Sequence, residues 1–386
     1  MTRLFTGIAA ALAVATLAGL AILWPGEIDS QLASGIAVES LRAEVERVEE
    51  TTCAGFQAQR CQLASVLLKE GPDAGTLVQI QLGGGGFDPD VDPGDDVRVT
   101  EAPEPPPGSE AVAGTGYGFH DFERGRPMLV LAALFVLVVL AFARLRGALS
   151  LAGLAASVAL VLVFVVPAIL DGQPPLAVAV VGGLAIALVT IPLAHGLGAK
   201  SLAALLGTAA SLLLTAGLAV LFTDLTHLTG LASEEAVFLQ FGQGGVSLEG
   251  LLLAGMVIGA LGVLDDVTIS QASTVLALRR TDPSLGFRAL FGRALEVGRD
   301  HVSATVNTLV LAYVGAALPI LLIFSAADLG VADATNLEVV AKEVVATLVG
   351  SIGLIAAVPV TTALAALLAL STRPEQLTAG GGAHTH

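Results

Sequence analysis

The sequence predicts an α-helical polytopic membrane protein of about eight transmembrane helices, with a small, mostly β extracytoplasmic domain after the first helix. Three observations predict it. Of 386 residues, 54% are hydrophobic and 13% charged, and the mean hydropathy is +0.82. Such a chain has more apolar surface than one soluble core can hide. Apolar stretches long enough to cross about 30 Å of hydrocarbon recur along it. The acid is also concentrated, with 19 Asp and Glu against 7 Lys and Arg in residues 27–126, so an acidic polar domain is joined to a nearly neutral body. The net charge of −16 speaks against nucleic acid as a partner, because phosphates require a basic surface.

The first element is Leu4–Trp24, apolar throughout and closed by Trp24-Pro25-Gly26, an interfacial aromatic followed by a helix stop. A cleaved signal peptide begins in a similar way. The long apolar run without a polar region after it favours an uncleaved signal anchor over residues 1–26. Residues 27–126 form the acidic domain with its linker, residues 127–372 a seven-helix membrane domain, and residues 373–386 a tail. The seven spans are expected near 127–143, 147–167, 175–194, 200–222, 250–277, 302–325 and 350–370. With the N-terminus inside, Arg3, Arg144, Arg146, Lys200, Arg279, Arg280, Arg288, Arg293, Arg299 and Arg373 flank the cytoplasmic ends, and the short outer loops hold Lys342. That bias places both termini in the cytoplasm and residues 27–126 outside.

Outside the cytoplasm, Cys53 and Cys61 are expected to pair as a disulfide; two buried thiols or a metal pair are the alternatives. The domain reads as β after a short helix-like start. Thr76–Leu82 and Asp95–Thr100 alternate apolar and polar residues, with Gly83–Gly86 as a loop between them, and a small barrel or sandwich is expected. Residues 102–118, rich in Pro and Gly, read as a linker. Acidic residues at alternate positions in Asp88–Asp96 allow either a calcium loop or a solvated acidic turn. The prolines and the glycine position do not match an EF-hand.

The informative stretch is Gly255–Ser273. It carries Asp265 and Asp266 inside an apolar segment, where charge is costly unless protonated, paired or facing water. If the helix runs on to Arg279-Arg280, Asp265 sits near its middle. Gly255, Gly259, Gly262 and Asp266 recur at three or four residues, a small-residue face suited to helix packing within one chain or between two. Asp266 is therefore expected in a protein interface, with Asp265 and Thr268 about 100° away. A carboxyl there is placed to exchange a proton, or else serves as a structural acid. The next span adds Arg299, Asp300 and His301 at its start and Asn307 about 10 Å further in, where its amide could reach an acid on a neighbouring helix. His301 reads as a proton relay or a plain interfacial anchor. Before it, Phe287, Leu290, Phe291, Ala294 and Leu295 form one apolar stripe, read as an interfacial amphipathic helix. Similar helices are expected at about 232–240 and 335–348. The chain has no phosphate-binding loop, zinc-protease motif or nucleophile elbow, so neither an enzyme nor a cofactor is expected.

Gly262-Val-Leu-Asp-Asp-Val-Thr-Ile-Ser-Gln-Ala272, followed by Glu296-Val-Gly-Arg-Asp-His-Val-Ser-Ala-Thr-Val-Asn-Thr through Pro319, resembles the YibE/F-like family of bacterial multi-pass membrane proteins over roughly 127–370. The resemblance implies a plasma-membrane protein and a suspected transporter. More distantly, the Gly-hydrophobic-Asp-Asp pattern is similar to one half of a resistance-nodulation-division permease, in which adjacent aspartates carry protons. Such a half has six spans where eight are read here, and its outer domain is much larger.

Two functions are expected. One is a proton-coupled secondary transporter or export component using Asp265 and Asp266, with a small-molecule or ion substrate. The other is a non-transporting envelope assembly protein whose outer domain binds a protein partner. Lipid is the shared partner, and the glycine face leaves a homo-oligomer open.

Overall fold

The computed structural model describes residues 2–26, 39–52, 60–83, 89–101, 116–232, 236–239 and 246–372. The chain divides into two units, Ser30–Ala141 and the remainder, Met1–Asp29 with Phe142–His386. The expected boundary at 126/127 therefore moves, since residues up to Ala141 group with the acidic domain. The expected tail 373–386 lies outside the described residues, as do Cys53, Asp88 and residues 102–115 of the linker.

In the first unit, β1 (Ser40–Thr52), β2 (Arg60–Leu68), β3 (Leu77–Leu82), β4 (Asp96–Glu101) and β5 (Tyr117–Phe122) form an antiparallel sheet in the order β3-β2-β1-β4-β5. The alternation expected over 76–82 and 95–100 is the burial pattern found. Ile80 and Leu82, and Val97 and Val99, point inward together with Ala43, Val45, Ala64, Val66 and Leu68. The helix-like start is corrected. Residues 40–52 form the central strand, because Leu41, Ala43 and Val45 alternate with Arg42, Glu44 and Glu46. Pairing on both edges outweighs the helix propensity of Arg and Glu. The sheet curls until its edge strands β3 and β5 approach, and Tyr117 Oη donates to Asp73 Oδ2 at 2.9 Å. This is a curled single sheet, intermediate between the expected barrel and an open sheet.

Ion pairs on the sheet surface join neighbouring strands and turns. Lys69 bridges Glu44 at 2.5 Å and Asp96 at 3.3 Å, and Arg98 Nη1 lies 2.6 Å from Glu123 Oε2. Glu123 also accepts the Gly125 N–H at 2.9 Å. That bond, then Arg98, holds its carboxyl below the ordinary range. In the acidic turn, the Asp95 carboxylate accepts the Asp92 N–H at 2.9 Å. Among the described residues no group of His, Cys, Asp and Glu is arranged to hold a metal ion.

The second unit is helical, and the helix Gly125–Leu170 runs into it from the first. α1 (Thr2–Ile22) is the expected first span. α2 (Gly125–Leu170) covers the next two expected spans as one 46-residue apolar helix, broken at Arg144 (φ 51, ψ −127) and loosened by a π-turn at Val161–Val165. α3 (Pro175–His195), α4 (Ala199–Leu225) and α5 (Leu248–Thr281) match their expected spans. α5 is opened by Ser247, whose hydroxyl accepts the Gly250 N–H. Glu249 in its first turn and Arg279 and Arg280 in its last complement the helix dipole.

The following segment differs from expectation. The amphipathic stripe does not form a separate interfacial helix. α6 (Phe287–Ala316) runs straight through it, and Leu290, Ala294 and Gly298 are buried against the bundle. The expected 302–325 span is instead the end of α6 plus α7 (Leu318–Ala326), bent by 61° next to Pro319. α8 (Val331–Asn336) is a short turn of helix, and α9 (Glu338–Ser371) absorbs most of the helix expected at 335–348. Of the helix expected at 232–240, residues 236–239 are described, and they are helical. Among the described residues six helices are long and apolar enough to cross a bilayer, or seven if the bent α6–α7 pair is one span. The chain is a multi-pass membrane protein.

α5 is the hub of the bundle and packs against α3, α4, α6 and α9. α4 and α9 cross antiparallel through two reciprocal notches, where a Cβ on Gly207 would overlap Thr361 and one on Gly353 would overlap Thr215. Such close approach needs glycine, and it brings threonines from each helix onto the backbone of the other.

Candidate functional site

Because α5 is continuous to Arg279 and Arg280, Asp265 lies midway along it. Its side chain is half-buried, and its Oδ1 is buried with no hydrogen-bond partner among the described residues. It lines two adjoining cavities between α2, α3 and α5. The larger, about 380 Å³, is walled by Leu154, Val158, Val161, Leu162, Ile186, Ala187, Ile258, Leu261 and Gly262, with Ser157 and Thr190 as its other polar side chains. The smaller, about 230 Å³, is lined by Ser150, Gly153, Leu154, Ser157, Thr190, Ala194 and His195. Leu154, Ser157, Thr190 and Asp265 belong to both walls, so the carboxyl stands where an apolar chamber meets a polar one. The π-turn of α2 supplies Val161 and Leu162 to the apolar wall.

The smaller cavity reaches His195 at the end of α3. Lys200 Nζ lies 3.2 Å from His195 Nδ1, in reach for the ammonium to donate to the ring. The charges of Lys200, Arg146 and Asp266 act on His195, and those of Arg146 and Arg280 act on Lys200, which makes this end of the bundle basic.

The two aspartates exchange the places expected for them. Asp265 is in the protein interior, while Asp266 is exposed on the glycine face. Among the described residues that face meets another helix only lightly, through Tyr313 of α6. A Cβ on Gly255 or Gly262 would meet nothing within 4 Å, and one on Gly259 would reach only Tyr313 Oη at 3.4 Å. The physical reason is that α5 turns Leu253, Val257, Ala260, Leu264 and Val267 to its neighbours, and the larger apolar side chains take the interior.

Thr268 is fully buried. Thr208 donates to Thr268 Oγ1 at 2.7 Å, and Thr268 in turn donates to the Asp265 carbonyl at 3.1 Å. Asn307 is exposed and makes no hydrogen bond to either aspartate. α6 faces α5 and α9 through Leu295, Val302 and Val306, and Asn307 lies one position past that stripe. Arg299 and Asp300 are exposed at the same end, and His301 is half-buried with a buried Nε2 lacking a partner among the described residues. Asp265 thus lines cavities with α2 and α3, and Arg299, Asp300 and His301 belong to α6.

Sequence reasoning missed Ser150, Ser157, Thr190 and His195. His195 carried a usable signal, an ionisable residue ending an apolar span. Gln271 was also missed as a contact. Its Nε2 donates to the Ala294 carbonyl at 2.8 Å and Thr362 Oγ1 at 2.7 Å, which joins α5, α6 and α9. Cys61 is buried in β2, where Gln81 Nε2 donates to its Sγ at 3.3 Å. Its expected partner Cys53 lies outside the described residues.

Neither the curated proteins nor the solved structures contain a significant match. Residues 131–371, which hold every residue lining the two cavities, match the YibE/F-like proteins, and the chain belongs to that family.

Proposed function

We propose that this protein is a proton-coupled secondary transporter in which Asp265 takes up and releases the proton. The observation that carries the reading is its Oδ1, buried and unpartnered at the junction of two cavities. In either protonation state Oδ1 has no hydrogen-bond partner among the described residues. A molecule or proton entering the cavity can supply one. Such a group responds to what the cavity holds. The Thr208–Thr268 bond and the Thr268 bond to the Asp265 carbonyl fix the backbone beneath it, so the response is at the carboxyl.

The topology belongs to the same proposal. At 1.5 Å per residue the 46-residue α2 is about 69 Å long, twice the hydrocarbon thickness, and it breaks at Arg144. Two crossings there, one for α6–α7 and one for each of the other long helices give eight spans. Both termini are then cytoplasmic, the sheet unit is extracytoplasmic, and Cys53 pairs with Cys61 as a disulfide. The substrate enters between α2, α3 and α5.

Infrared difference spectroscopy of lipid-reconstituted protein tests the reading. A protonated-carboxyl band that responds to pH and vanishes in Asp265→Asn, but not in Asp266→Asn, is expected. A spectrum with no such band in folded wild type would sink it. The second reading, an envelope interaction protein, has the exposed acidic strip Glu46, Glu49 and Glu50 of β1 in its favour. It requires that residues 27–126 capture a partner while Asp265→Asn is without effect.

A further inference from the structure

The apolar chamber has a particular chemical signature. It offers about 380 Å³, within the size range of small-molecule pockets. Its walls are aliphatic, and its polar features are the Ser157 and Thr190 hydroxyls and one carboxylate. No cationic side chain lines either cavity apart from His195, at the far end of the smaller one. The occupant that complements these walls is apolar over most of its surface, carries one positive charge and donates hydrogen bonds from it. A carboxylic acid would meet Asp265 with like charge, a polyol would leave its hydroxyls against aliphatic walls, and a hydrated metal ion would find too few oxygen ligands.

The α2 wall shows where such a molecule enters. Leu154, Val158 and Leu162 line the chamber and are also about half or more exposed on the outer surface of the bundle, at 52%, 49% and 63%. In a membrane-spanning helix that surface faces lipid, so the chamber communicates with the bilayer. The π-turn in that wall is a local loosening of the helix, a form found often at functional sites.

We propose that this chamber binds a small hydrophobic amine entering from the bilayer, whose ammonium docks on the Asp265 carboxylate and displaces the proton held there. The inference rests on the proton-coupled reading and names its substrate class. The balance is simple. A protonated Asp265 and an ammonium ion give a carboxylate–ammonium pair and one proton released to water. The groups facing this exchange are Asp266 on α5 and His195 on α3, with Lys200 and Arg146 acting through His195. α2 carries Arg146 and lines the cavities with the hydroxyls of Ser150 and Ser157. His195 leads from the carboxyl to the basic end and marks the exit of the released proton.

The full chain in lipid nanodiscs is titrated with 1-adamantanamine, a rigid apolar cage with one ammonium, and with 1-adamantanol, its uncharged counterpart. The infrared carboxyl band and proton release into weak buffer are recorded together. The amine is expected to abolish the Asp265 band and release about one proton per chain, and the alcohol to do neither. Asp265→Asn should show no amine-dependent release. Ala187→Leu narrows the chamber without touching the carboxyl. It should weaken the amine response at least tenfold while the band still titrates with pH. If the band titrates with pH but ignores the amine, the substrate class is wrong and the proton site stands. If amine and alcohol act alike, the chamber is an unselective apolar void and the proposal is overturned. If wild type has no titrating band, the exchange and the proton reading beneath it both fall.

Discussion

Gln271 is where three helices meet, and it is fixed by hydrogen bonds that propensity could not reveal. Replacing it with Leu removes both donated bonds while Thr362 keeps its own bond to the Val358 carbonyl. A loss of about 1 kcal/mol is expected, since intramembrane hydrogen bonds contribute roughly 0.6 to 2 kcal/mol; denaturant titration in mixed micelles measures it. Gly207→Ala is a steric counterpart. The new methyl meets Thr361 and is expected to cost about 1–3 kcal/mol, and Thr361→Ala in the same chain should recover most of it. At this scale the sequence was partly legible. Two adjacent acids in an apolar run marked Asp265, because charge at that depth needs a reason. Which of the two faces inward was decided by the bulk of Leu264 and Val267 and not by the glycine spacing. Asn307 misled because it is one position from the buried stripe of α6, a rotation of 100°.

At the scale of elements, long apolar runs fixed most helices within a few residues. Joins were harder to read. The stripe from Phe287 to Leu295 has the same period whether it lies on a membrane or packs in a bundle, and only tertiary contact separates the two. β1 was hidden because its outward residues are Glu and Arg, good helix formers whose alternation with small apolar residues is short. The break in α2 has a testable consequence. Arg144 holds a φ of 51, which glycine adopts without penalty. Arg144→Gly is expected to raise stability by about 1 kcal/mol, visible as a higher unfolding midpoint, whereas a continuous helix would be weakened by the same change. In the sheet, the Glu123 carboxyl titrates below its ordinary range because the Gly125 N–H and Arg98 favour the ionised form. Its contribution is complete above the ordinary carboxylate range and is lost as pH falls through the depressed value. Protection factors for hydrogen exchange at β4 and β5, corrected for the intrinsic pH dependence of amide exchange, should fall on acidification, and less steeply in Glu123→Gln.

For the whole molecule, the proposed placement of the sheet unit makes a chemical prediction. Alkylation of the denatured full chain without reductant should modify neither Cys53 nor Cys61, and with reductant both; two adducts without reductant would contradict the disulfide. Whole-chain organisation was legible because charge and hydropathy divide it plainly, but the bundle's order of packing was not. One feature of that packing has a mechanical meaning. The Trp24 ring lies tilted against Phe164 inside the π-turn, 5.9 Å between centroids, and the Gly26 N–H is held by Asp171 just past the end of α2 at 3.0 Å. These two contacts pin the end of α1 to the π-turn and to the end of α2. The cavity wall that carries Val161 and Leu162 is thus braced by the first helix as well as by its own backbone.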